Sequence, residues 1–357
     1  MPHTMTRTFH ALLAVVAALL VVAAPASAAK TEREFFGLNL NTAGDALVEG
    51  DVPVLKSAKV GVVRVAMEWQ VVQPEKGGPM DWSYFDRLYS RAARGGVRIL
   101  PILSGAPKWV QDQPHYPPRT PEKIAAYTAF VRAAVDRYGR GGDFWAQNPA
   151  VPSKPPTMWQ VWNEPNLGYW WEESPNAKEY LTLLRSTSRA IRAGDKKAKV
   201  VLAGLPETNG IPMNEYLTQL YKASPKFKSY FDVLAIHPFG RGWPGVEGAL
   251  YRLRQVTKRF KDDKTPVLIT EIGWATGGGK DADFQVTSPK GQSDRLRSTF
   301  RNVVKARKRW NVAGIVWYAY RDLQPGDWWI MNCGLFDRSG KAKPAWNVFR
   351  SFTKNTK

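Results

Sequence analysis

Short runs of apolar and often β-branched residues recur along the chain and alternate with segments of helical periodicity. Runs of this length and composition are typical of strands that are buried on both faces of a parallel sheet. Eight such strands alternating with helices predict an α/β fold, a single (β/α)8 TIM barrel that occupies residues 29–357. The eight runs are Phe36–Leu40, Val62–Ala66, Val97–Leu103, Met158–Trp162, Lys199–Ala203, Phe231–Ile236, Pro266–Thr270 and Ala313–Tyr318.

Helix signals fall between these runs. Thr120, Pro121 and Glu122 combine an N-cap residue, an N1 proline and a first-turn acid, and apolar residues follow them at helical spacing. The Pro- and Gly-containing segment Gly139–Pro156 is predicted to be an ordered loop on the face away from the site, so no linker divides the chain. Further helices are predicted near Trp82–Ala93, Asn176–Arg192, Glu247–Phe260 and Ser293–Arg309.

The first 28 residues carry the pattern of a secretory signal peptide. Arg7 supplies the positive charge, Ala11–Ala24 the short apolar core, and Ala26-Ser27-Ala28 the cleavage site. The apolar core is shorter than an ordinary membrane span. The sequence therefore predicts a secreted chain that is cleaved near Ala28 and has no integral membrane segment.

Potential metal ligands are scarce. Cys333 is the single cysteine, which excludes an internal disulfide and a thiolate metal cluster. His115 and His237 are the two histidines beyond the predicted signal, fewer than a zinc or two-metal hydrolase site requires. We therefore expect a mechanism without a metal and without a cofactor.

The formal net charge of +20 would ordinarily suggest nucleic acid as a partner. The lysines and arginines are, however, spread over predicted helix faces and loops, for example at Lys226, Lys258 and Lys305. We interpret most of them as solvated surface and expect no nucleic-acid partner. The functional alternative is electrostatic association with an anionic cell wall or an acidic polysaccharide.

Two glutamates stand in contexts that carry chemistry. Glu164 lies in the segment Trp162–Asn166, Glu271 follows Val267–Thr270, and each closes a predicted buried strand. Parallel strands end at the same edge of a sheet, so both carboxylates are expected in one pocket. A pair of carboxyl groups across a sugar linkage is what glycoside hydrolysis needs, one as proton donor and the other as nucleophile or base.

With these motifs the sequence resembles the clan A glycoside hydrolases, which are (β/α)8 enzymes, and its flanking residues are similar to families 5 and 39. Trp162-Asn163-Glu164-Pro165 is similar to the Asn-Glu-Pro signature of these families. The resemblance implies a carbohydrate substrate and retaining hydrolysis, with Glu164 as acid/base and Glu271 as nucleophile. It also implies that Asn163 binds the sugar 2-hydroxyl.

Residues around the pair are assigned supporting roles. Arg64 on the second strand is expected to stabilise the Glu271 anion by its opposite charge. That anion and nearby indole rings should disfavour a second charge and raise the pKa of Glu164. His237 is expected to bind a substrate hydroxyl or the glutamate pair. Where family 5 cellulases carry His-x-Tyr this chain has His237-Pro238-Phe239. Either the hydroxyl of Tyr318 or Tyr320 supports the nucleophile, or its carboxylate is held in another way.

Tryptophans at predicted strand ends are candidates to stack on sugar rings. They are Trp69, Trp109, Trp170, Trp171, Trp243, Trp274, Trp317, Trp328 and Trp329. The pairs Trp170-Trp171 and Trp328-Trp329 predict walls on both sides of a cleft, and hence endo action on a β-linked glycan. An exo-acting β-glycosidase, an α-L-arabinofuranosidase and a non-catalytic carbohydrate- or wall-binding barrel remain alternatives.

Overall fold

The computed structural model describes residues 30–40, 46–172, 174–207, 209–279, 284–323 and 328–357. The predicted signal peptide at residues 1–28 lies outside the described residues. Within the described ranges, no helix is both long and apolar enough to cross a membrane.

The described strands form one parallel sheet that curls into a barrel. The strands are β1 Phe36–Asn39, β2 Val62–Glu68, β3 Arg98–Ser104, β4 Met158–Val161, β5 Lys199–Val201, β6 Leu205–Pro206, β7 Leu234–His237, β8 Val267–Ile272 and β9 Val312–Trp317, in the order β5-β4-β3-β2-β1-β9-β8-β7-β6. β5 pairs with β4, β6 pairs with β7, and a bridge between Val201 and Val233 joins β5 to the segment that precedes β7. β5 and β6 are therefore two pieces of one barrel strand, and the predicted TIM barrel is confirmed.

Strand alternation divides the barrel interior into two layers. An apolar layer formed by Val62, Leu100, Val201, Val233, Ala235 and Leu268 fills the barrel near the amino ends of the strands. Two residues further along the same strands, and on the same face, come Arg64, His237 and Thr270. These polar side chains are almost fully buried and form the floor of the carboxyl end, where barrels of this kind carry their sites.

The predicted helices are present. The helices are α1 Asp51–Ser57, α2 Trp69–Val72, α3 Ser83–Arg94, α4 Pro121–Tyr138, α5 Asp143–Gln147, α6 Gly168–Trp171, α7 Ala177–Gly194, α8 Met213–Ala223, α9 Trp243–Arg259, α10 Pro289–Trp310 and α11 Pro344–Thr353. Thr120 Oγ1 accepts a hydrogen bond from the Lys123 amide at the start of α4, and the Asn176 side chain caps α7 in the same way. α9 and α10 begin four residues earlier than predicted because Pro244 and Pro289 occupy their first turns.

Segment Gly139–Pro156 is ordered, as predicted, but it contains the short helix α5. Trp145 anchors it by donating its indole N–H to Tyr138 O at 2.9 Å. The segment joins α4 to the amino end of β4, which is the end of the barrel away from the glutamate pair.

Candidate active site

Arg64 is the hub of the polar floor. Its guanidinium is 1% exposed and reaches across the barrel interior from β2. Nε donates to Gln160 Oε1 at 2.6 Å, and Nη2 donates to Asn163 Oδ1 at 2.8 Å. Nη1 donates to Glu271 Oε1 at 2.6 Å and also faces the Asn39 amide. The buried cation is therefore paired and hydrogen-bonded on all sides, as a buried charge must be.

Glu271 lies within β8, where the strand reaches the barrel mouth. It is 8% exposed, and its ion pair with Arg64 compensates its charge in this buried position. Gly273, two residues on, lies so close to the residue after β9 that a Cβ would be only 2.0 Å from Tyr318 O. The expected pairing of Arg64 with Glu271 is thus present, and the backbone beside the glutamate admits only glycine.

Glu164 is held on a backbone that L-residues rarely adopt. Trp162 has φ +67° and Glu164 has φ +42°, both in the left-handed region. Such residues cost about 1–3 kcal/mol each and persist where surrounding contacts determine them. Here the Trp162 amide donates to Leu103 O at 3.2 Å and the Leu167 amide donates to Glu164 O at 3.0 Å. The turn aims the carboxyl group of Glu164 across the barrel mouth.

Burial raises the pKa of the Glu164 carboxyl to about 7, while the charge of Arg64 and a hydrogen bond from the Trp170 side chain act in the opposite direction. The raised pKa agrees with the expectation from the sequence, which named the Glu271 anion and nearby indole rings as causes. Burial is the cause found, and the Glu271 anion is not among the contributions. Near neutral pH this group is therefore available in its protonated form, and it can give a proton and later take one.

His237 joins the two glutamates. Its ring is fully buried, with Nδ1 2.6 Å from Glu164 Oε1 and Nε2 3.7 Å from Glu271 Oε1. Burial lowers the pKa of the imidazole to about 3; Glu271 raises it and Arg64 lowers it further. The ring is therefore neutral at ordinary pH. Its hydrogen bond serves both states of Glu164, because an Nδ1–H donates to the carboxylate and a protonated carboxyl donates to Nδ1.

The break between β5 and β6 makes room for this ring. A Cβ on Gly204 would be 2.0 Å from His237 Nε2, so only glycine fits at that position. The sequence prediction that His237 contacts the glutamate pair is consistent with this geometry.

The separation of the two carboxyl groups fits one of the two modes of glycoside hydrolysis. Oxygen atoms of Glu164 and Glu271 and a ring nitrogen of His237 all lie within 4.8 Å of one another. A nucleophile and its acid/base partner stand about 5–5.5 Å apart, whereas inverting enzymes leave about 6.5–9.5 Å for a water. The spacing favours direct attack by one carboxylate.

Glu164, His237 and Glu271 are also the described residues that could together ligate a metal ion. Glu271 is, however, already paired with the Arg64 cation, and His237 is already hydrogen-bonded to Glu164. A divalent ion at this position would face the guanidinium at close range. These contacts favour direct roles of the three side chains over metal binding.

Chelator treatment tests this interpretation. We expect EDTA to leave the hydrolytic activity of the purified protein unchanged, because the carboxylates already have organic partners. The check is the initial rate before and after treatment, with a buffer-only control. A loss of activity that zinc or calcium restores would show that the three side chains hold a metal.

The pH dependence should report the protonation of Glu164. Since the acid must be protonated, kcat/KM should fall as pH rises through a pKa of about 7. Trp170→Phe removes a hydrogen bond that lowers the pKa of Glu164, so this alkaline limb should move to higher pH. The matched substitution Trp329→Phe should leave it in place. If the alkaline limb lies at the same pH in Trp170→Phe and in wild type, it reports the titration of a group other than Glu164.

Four tryptophans predicted to bind substrate lie in the core instead. Trp69, Trp171, Trp274 and Trp317 are each at most 1% exposed. Their indole N–H groups donate to Gln73 Oε1, Glu179 Oε2, Gly240 O and Cys333 O, respectively. A ring with no exposed face cannot stack on a sugar, so these residues pack beneath the active face. Trp109 is half-buried and contacts Trp69 edge-on.

Two groups of accessible aromatic side chains remain at the barrel mouth. The first, which we call the β3/β4 group, consists of His115, Tyr169 and Trp170. The Tyr169 ring is 58% exposed, and its centroid lies 4.3 Å from that of His115, on which it stacks, and 5.3 Å from that of Trp170. The second, the β7/β9 group, contains Phe239, Tyr318, Trp328 and Trp329, and Phe239 meets Trp329 at 5.4 Å. Each group lies beside one of the two glutamates. The Trp170 side chain donates a hydrogen bond to Glu164, and the charge of Glu271 raises the pKa of Tyr318.

Of the two tyrosines proposed to support the nucleophile, the structure brings one into the site. Burial and the nearby Glu271 charge raise the pKa of Tyr318. Tyr320 instead donates to Asp51 Oδ1 at 2.8 Å and is buried there, away from both glutamates. The prediction for Tyr320 is therefore wrong, because Asp51 holds its hydroxyl.

Sequence reasoning missed Asn39 and Gln160, which complete the partners of Arg64, and also Tyr169 and Phe239. Gln160 had a readable signal: it is a polar residue inside an apolar strand, on the inward face. Tyr169 and Phe239 had no such signal, since their exposure depends on how the loops fold.

A family model for glycosyl hydrolase family 53 matches residues 152–349. The matched region holds Asn163, Glu164, His237 and Glu271, and it covers more than half of the chain. The chain belongs to glycosyl hydrolase family 53. Among curated proteins, none matches the chain.

Solved glycoside hydrolase structures share the fold. A family 39 enzyme from Bacteroides cellulosilyticus WH2 is 18% identical with a TM-score of 0.69, and the alignment covers 90% of this chain and 64% of that one. A monomeric β-xylosidase from Caulobacter crescentus CB15 is 19% identical with a TM-score of 0.67, covering 90% and 68%. A family 5 protein from Bifidobacterium longum subsp. longum, solved with Manβ1-4GlcNAc, is 16% identical with a TM-score of 0.65, covering 90% and 78%.

This chain thus spans less than two thirds of the length of the family 39 structure. The family match, together with the likeness to family 39 and family 5 structures, confirms the predicted resemblance to clan A glycoside hydrolases.

Proposed function

We propose that the protein is a retaining glycoside hydrolase in which Glu271 is the nucleophile and Glu164 the acid/base. The observation that carries the proposal is the unequal environment of two close carboxyl groups. Glu271 is paired with a buried guanidinium, whereas burial raises the pKa of Glu164 to about 7. One carboxyl group is thereby suited to attack and the other to transfer a proton.

The reaction proceeds by double displacement. The Glu271 carboxylate attacks the anomeric carbon while Glu164 gives its proton to the glycosidic oxygen, so the bond breaks and an alcohol leaves. In the second step the Glu164 carboxylate takes a proton from water, and the water oxygen attacks the anomeric carbon. The glycosyl ester to Glu271 then breaks, and both residues return to their starting states.

Neighbouring side chains support each step. Arg64 holds Asn163 by its Oδ1, which leaves the Asn163 Nδ2 without a partner among the described residues and able to bind the sugar 2-hydroxyl. His237 keeps Glu164 oriented in both protonation states. A non-catalytic barrel would have no need for a buried ion pair beside a backbone strained at Trp162 and Glu164.

The proposed substrate is a β-linked glycan that is cut internally. The β3/β4 and β7/β9 aromatic groups stand in loops on different sides of the barrel mouth, and each contacts one member of the pair. That arrangement suits subsites on both sides of the cleaved bond. The similar structures include a β-xylosidase and a complex with Manβ1-4GlcNAc, which supports β linkage. Exo action and α-L-arabinofuranosidase activity are the alternatives.

Tyr169→Ala and Trp328→Ala should each separate polymer hydrolysis from hydrolysis of short aryl glycosides. Both rings are 58% exposed, and one stacking contact is worth about 1 kcal/mol, so polymer hydrolysis should weaken by roughly fivefold to tenfold. Aryl glycosides fill few subsites and should be affected much less. The rates are measured on whichever glycan a panel of plant, fungal and bacterial wall polysaccharides identifies, with products sized by mass spectrometry.

Tyr251→Ala is the matched control, because this tyrosine is 53% exposed on the outer surface of α9. It should change neither rate. Monosaccharides as first products, or equal losses on polymer and aryl glycoside, would assign the aromatic groups to a closed pocket and the enzyme to exo action.

The proposal includes secretion, which rests on the signal-peptide pattern of residues 1–28. Its test is the N-terminal sequence of protein recovered from the medium of expressing cells, which should begin after Ala28. Protein that stays in the cells with its first residues intact would contradict it.

A further inference from the structure

The fold concentrates exposed positive charge at the end of the barrel that lies opposite the glutamate pair. Each helix of a (β/α)8 barrel returns through a loop to the amino end of the next strand. The loops after α7 and α8 each carry a cluster of exposed lysines. These are Lys196, Lys197 and Lys199 after α7, and Lys222, Lys226 and Lys228 at the end of α8 and beyond it.

The next two loops continue the same pattern. Their exposed basic side chains are Lys258 and Arg259 at the end of α9, Lys261 and Lys264 after it, and Lys308 at the end of α10. Within the described part of the chain, none of the basic residues named here and above forms a salt bridge. We call this set of loops the basic face.

Contacts between neighbouring loops make the basic face continuous. Arg192 at the end of α7 donates to Ser229 O and pairs with Asp232 in the loop after α8. Tyr221 of α8 donates to Asp262 Oδ2 at 2.6 Å in the loop after α9. Asn311 in the loop after α10 donates to Lys264 O at 2.7 Å. The clusters therefore lie side by side on one surface.

Most acidic residues of these loops do not offset the lysines. Asp195 is 7% exposed and pairs with Arg140, and Asp232 pairs with Arg192. Asp262 is 8% exposed and accepts hydrogen bonds from Tyr221 and Thr265. Of the four aspartates that the structure describes in these loops, Asp263 is the exposed one. Cations near helix C-termini complement the helix dipole, but that effect is worth only about 0.3–1 kcal/mol and does not require several charges per loop.

The active face is different. Arg119 pairs there with Glu172 and Glu179, and Arg252 pairs with Glu207. Opposite charges thus meet around the barrel mouth, and exposed lysines that form no salt bridge with a described residue, such as Lys178 and Lys341, stand singly there. At the other end such lysines occur in clusters. A partner bound to the basic face would leave the mouth open.

We propose that the basic face binds an anionic polysaccharide, a glycan with repeated carboxylate or phosphate groups. The cationic groups are mainly lysines, flexible point charges that suit a polymer with repeated, loosely positioned anions. The large exposed apolar side chains of the described residues all lie outside these loops. Tyr230 and Phe260, the partly exposed rings of these loops, pack against the core, and Phe260 stacks on Tyr221 at 4.7 Å. The described residues of the face therefore offer no largely exposed ring for a nucleic-acid base and no exposed apolar group to enter a membrane.

Binding to this face does not depend on hydrolysis, so it can be tested separately from the proposed function. The probes are polygalacturonate, which carries carboxylates, and phosphorylated dextran, with neutral dextran as the blank. Double-stranded DNA and anionic phospholipid vesicles represent the other classes of polyanion. Binding is measured at low and high salt, with both wild type and the Glu271→Gln variant.

The decisive variant combines Lys197→Glu, Lys228→Glu and Lys258→Glu, one exposed lysine from each of three clusters. Its matched control combines Lys108→Glu, Lys178→Glu and Lys341→Glu, which are exposed near the active-face end, form no salt bridge among the described residues and change the net charge equally. We expect wild type to bind polygalacturonate, phosphorylated dextran or both, with an affinity that falls as salt rises. The first triple variant should lower this affinity on the order of tenfold or more, and the control variant should not. Glu271→Gln should bind as wild type does.

Equal weakening by both triple variants would mean that net charge alone is responsible and would overturn the proposal. So would tighter binding to DNA or vesicles than to either anionic glycan, or no binding to the glycans. The glycan that binds more tightly identifies the anionic group.

Discussion

Glu271→Gln should lower kcat/KM by at least about 10⁴-fold on every substrate that the protein cleaves, because an amide cannot form the glycosyl ester. Glu271 is the group that Arg64 pairs with at 2.6 Å, so the substitution also leaves a buried guanidinium without its counter-charge. Some loss of stability is therefore expected, and circular dichroism must show that the variant is folded at the assay temperature.

Glu207→Gln is the matched control. Glu207 is also a partly buried carboxylate at the active-face end of the barrel, and it pairs with Arg252. It lies in no contact with the proposed pair and should keep most of the wild-type rate. Full activity in Glu271→Gln, or an equal loss in Glu207→Gln, would contradict the assignment of the nucleophile.

Glu164→Ala should affect the two steps unequally. With a dinitrophenolate leaving group no proton is needed, so the first step should proceed and the second should stall for want of a base. A burst of dinitrophenolate and a lowered KM are expected. On substrates with poor leaving groups, kcat/KM should fall by about 10²–10⁴-fold, since the acid is missing.

Azide makes this test specific to the residue. It should enter the space left by the Glu164 carboxyl and rescue Glu164→Ala, with a glycosyl azide of retained β configuration as product. His237→Ala is the comparison, because it removes the partner of Glu164 but leaves the acid in place, and azide should not rescue it. A glycosyl azide of inverted configuration from Glu164→Ala would instead identify Glu164 as the nucleophile and Glu271 as the acid/base.

Much of the fold could be predicted from the chain because its apolar runs and helix signals are regular. Each of the eight runs overlaps a barrel strand, and Thr120 and Asn176 cap helices as their types suggest. The interruption between β5 and β6 was not predictable. It depends on the close approach of Gly204 to His237, two residues far apart in the chain.

The two glutamates and Arg64 could be placed in one site because strand ends meet at one edge, but the positions of the tryptophan side chains could not be predicted. In β9 every residue is apolar, so the sequence does not tell which face each side chain takes. Trp317 faces outward and packs against Trp274 at 5.8 Å, and Tyr318, the next residue, lies beside the Glu271 charge instead. Likewise Trp171 is buried while Tyr169, two residues earlier in α6, is exposed.

The covalent intermediate tests the central claim most directly. A 2-deoxy-2-fluoro β-glycoside of the preferred sugar, with dinitrophenolate as leaving group, should inactivate the enzyme by trapping the glycosyl ester. Peptide mapping by mass spectrometry should then find one sugar on the peptide that contains Glu271, attached to that residue, and none on Glu164. A label on Glu164 or elsewhere, or turnover that releases product of inverted configuration without any label, would contradict the account.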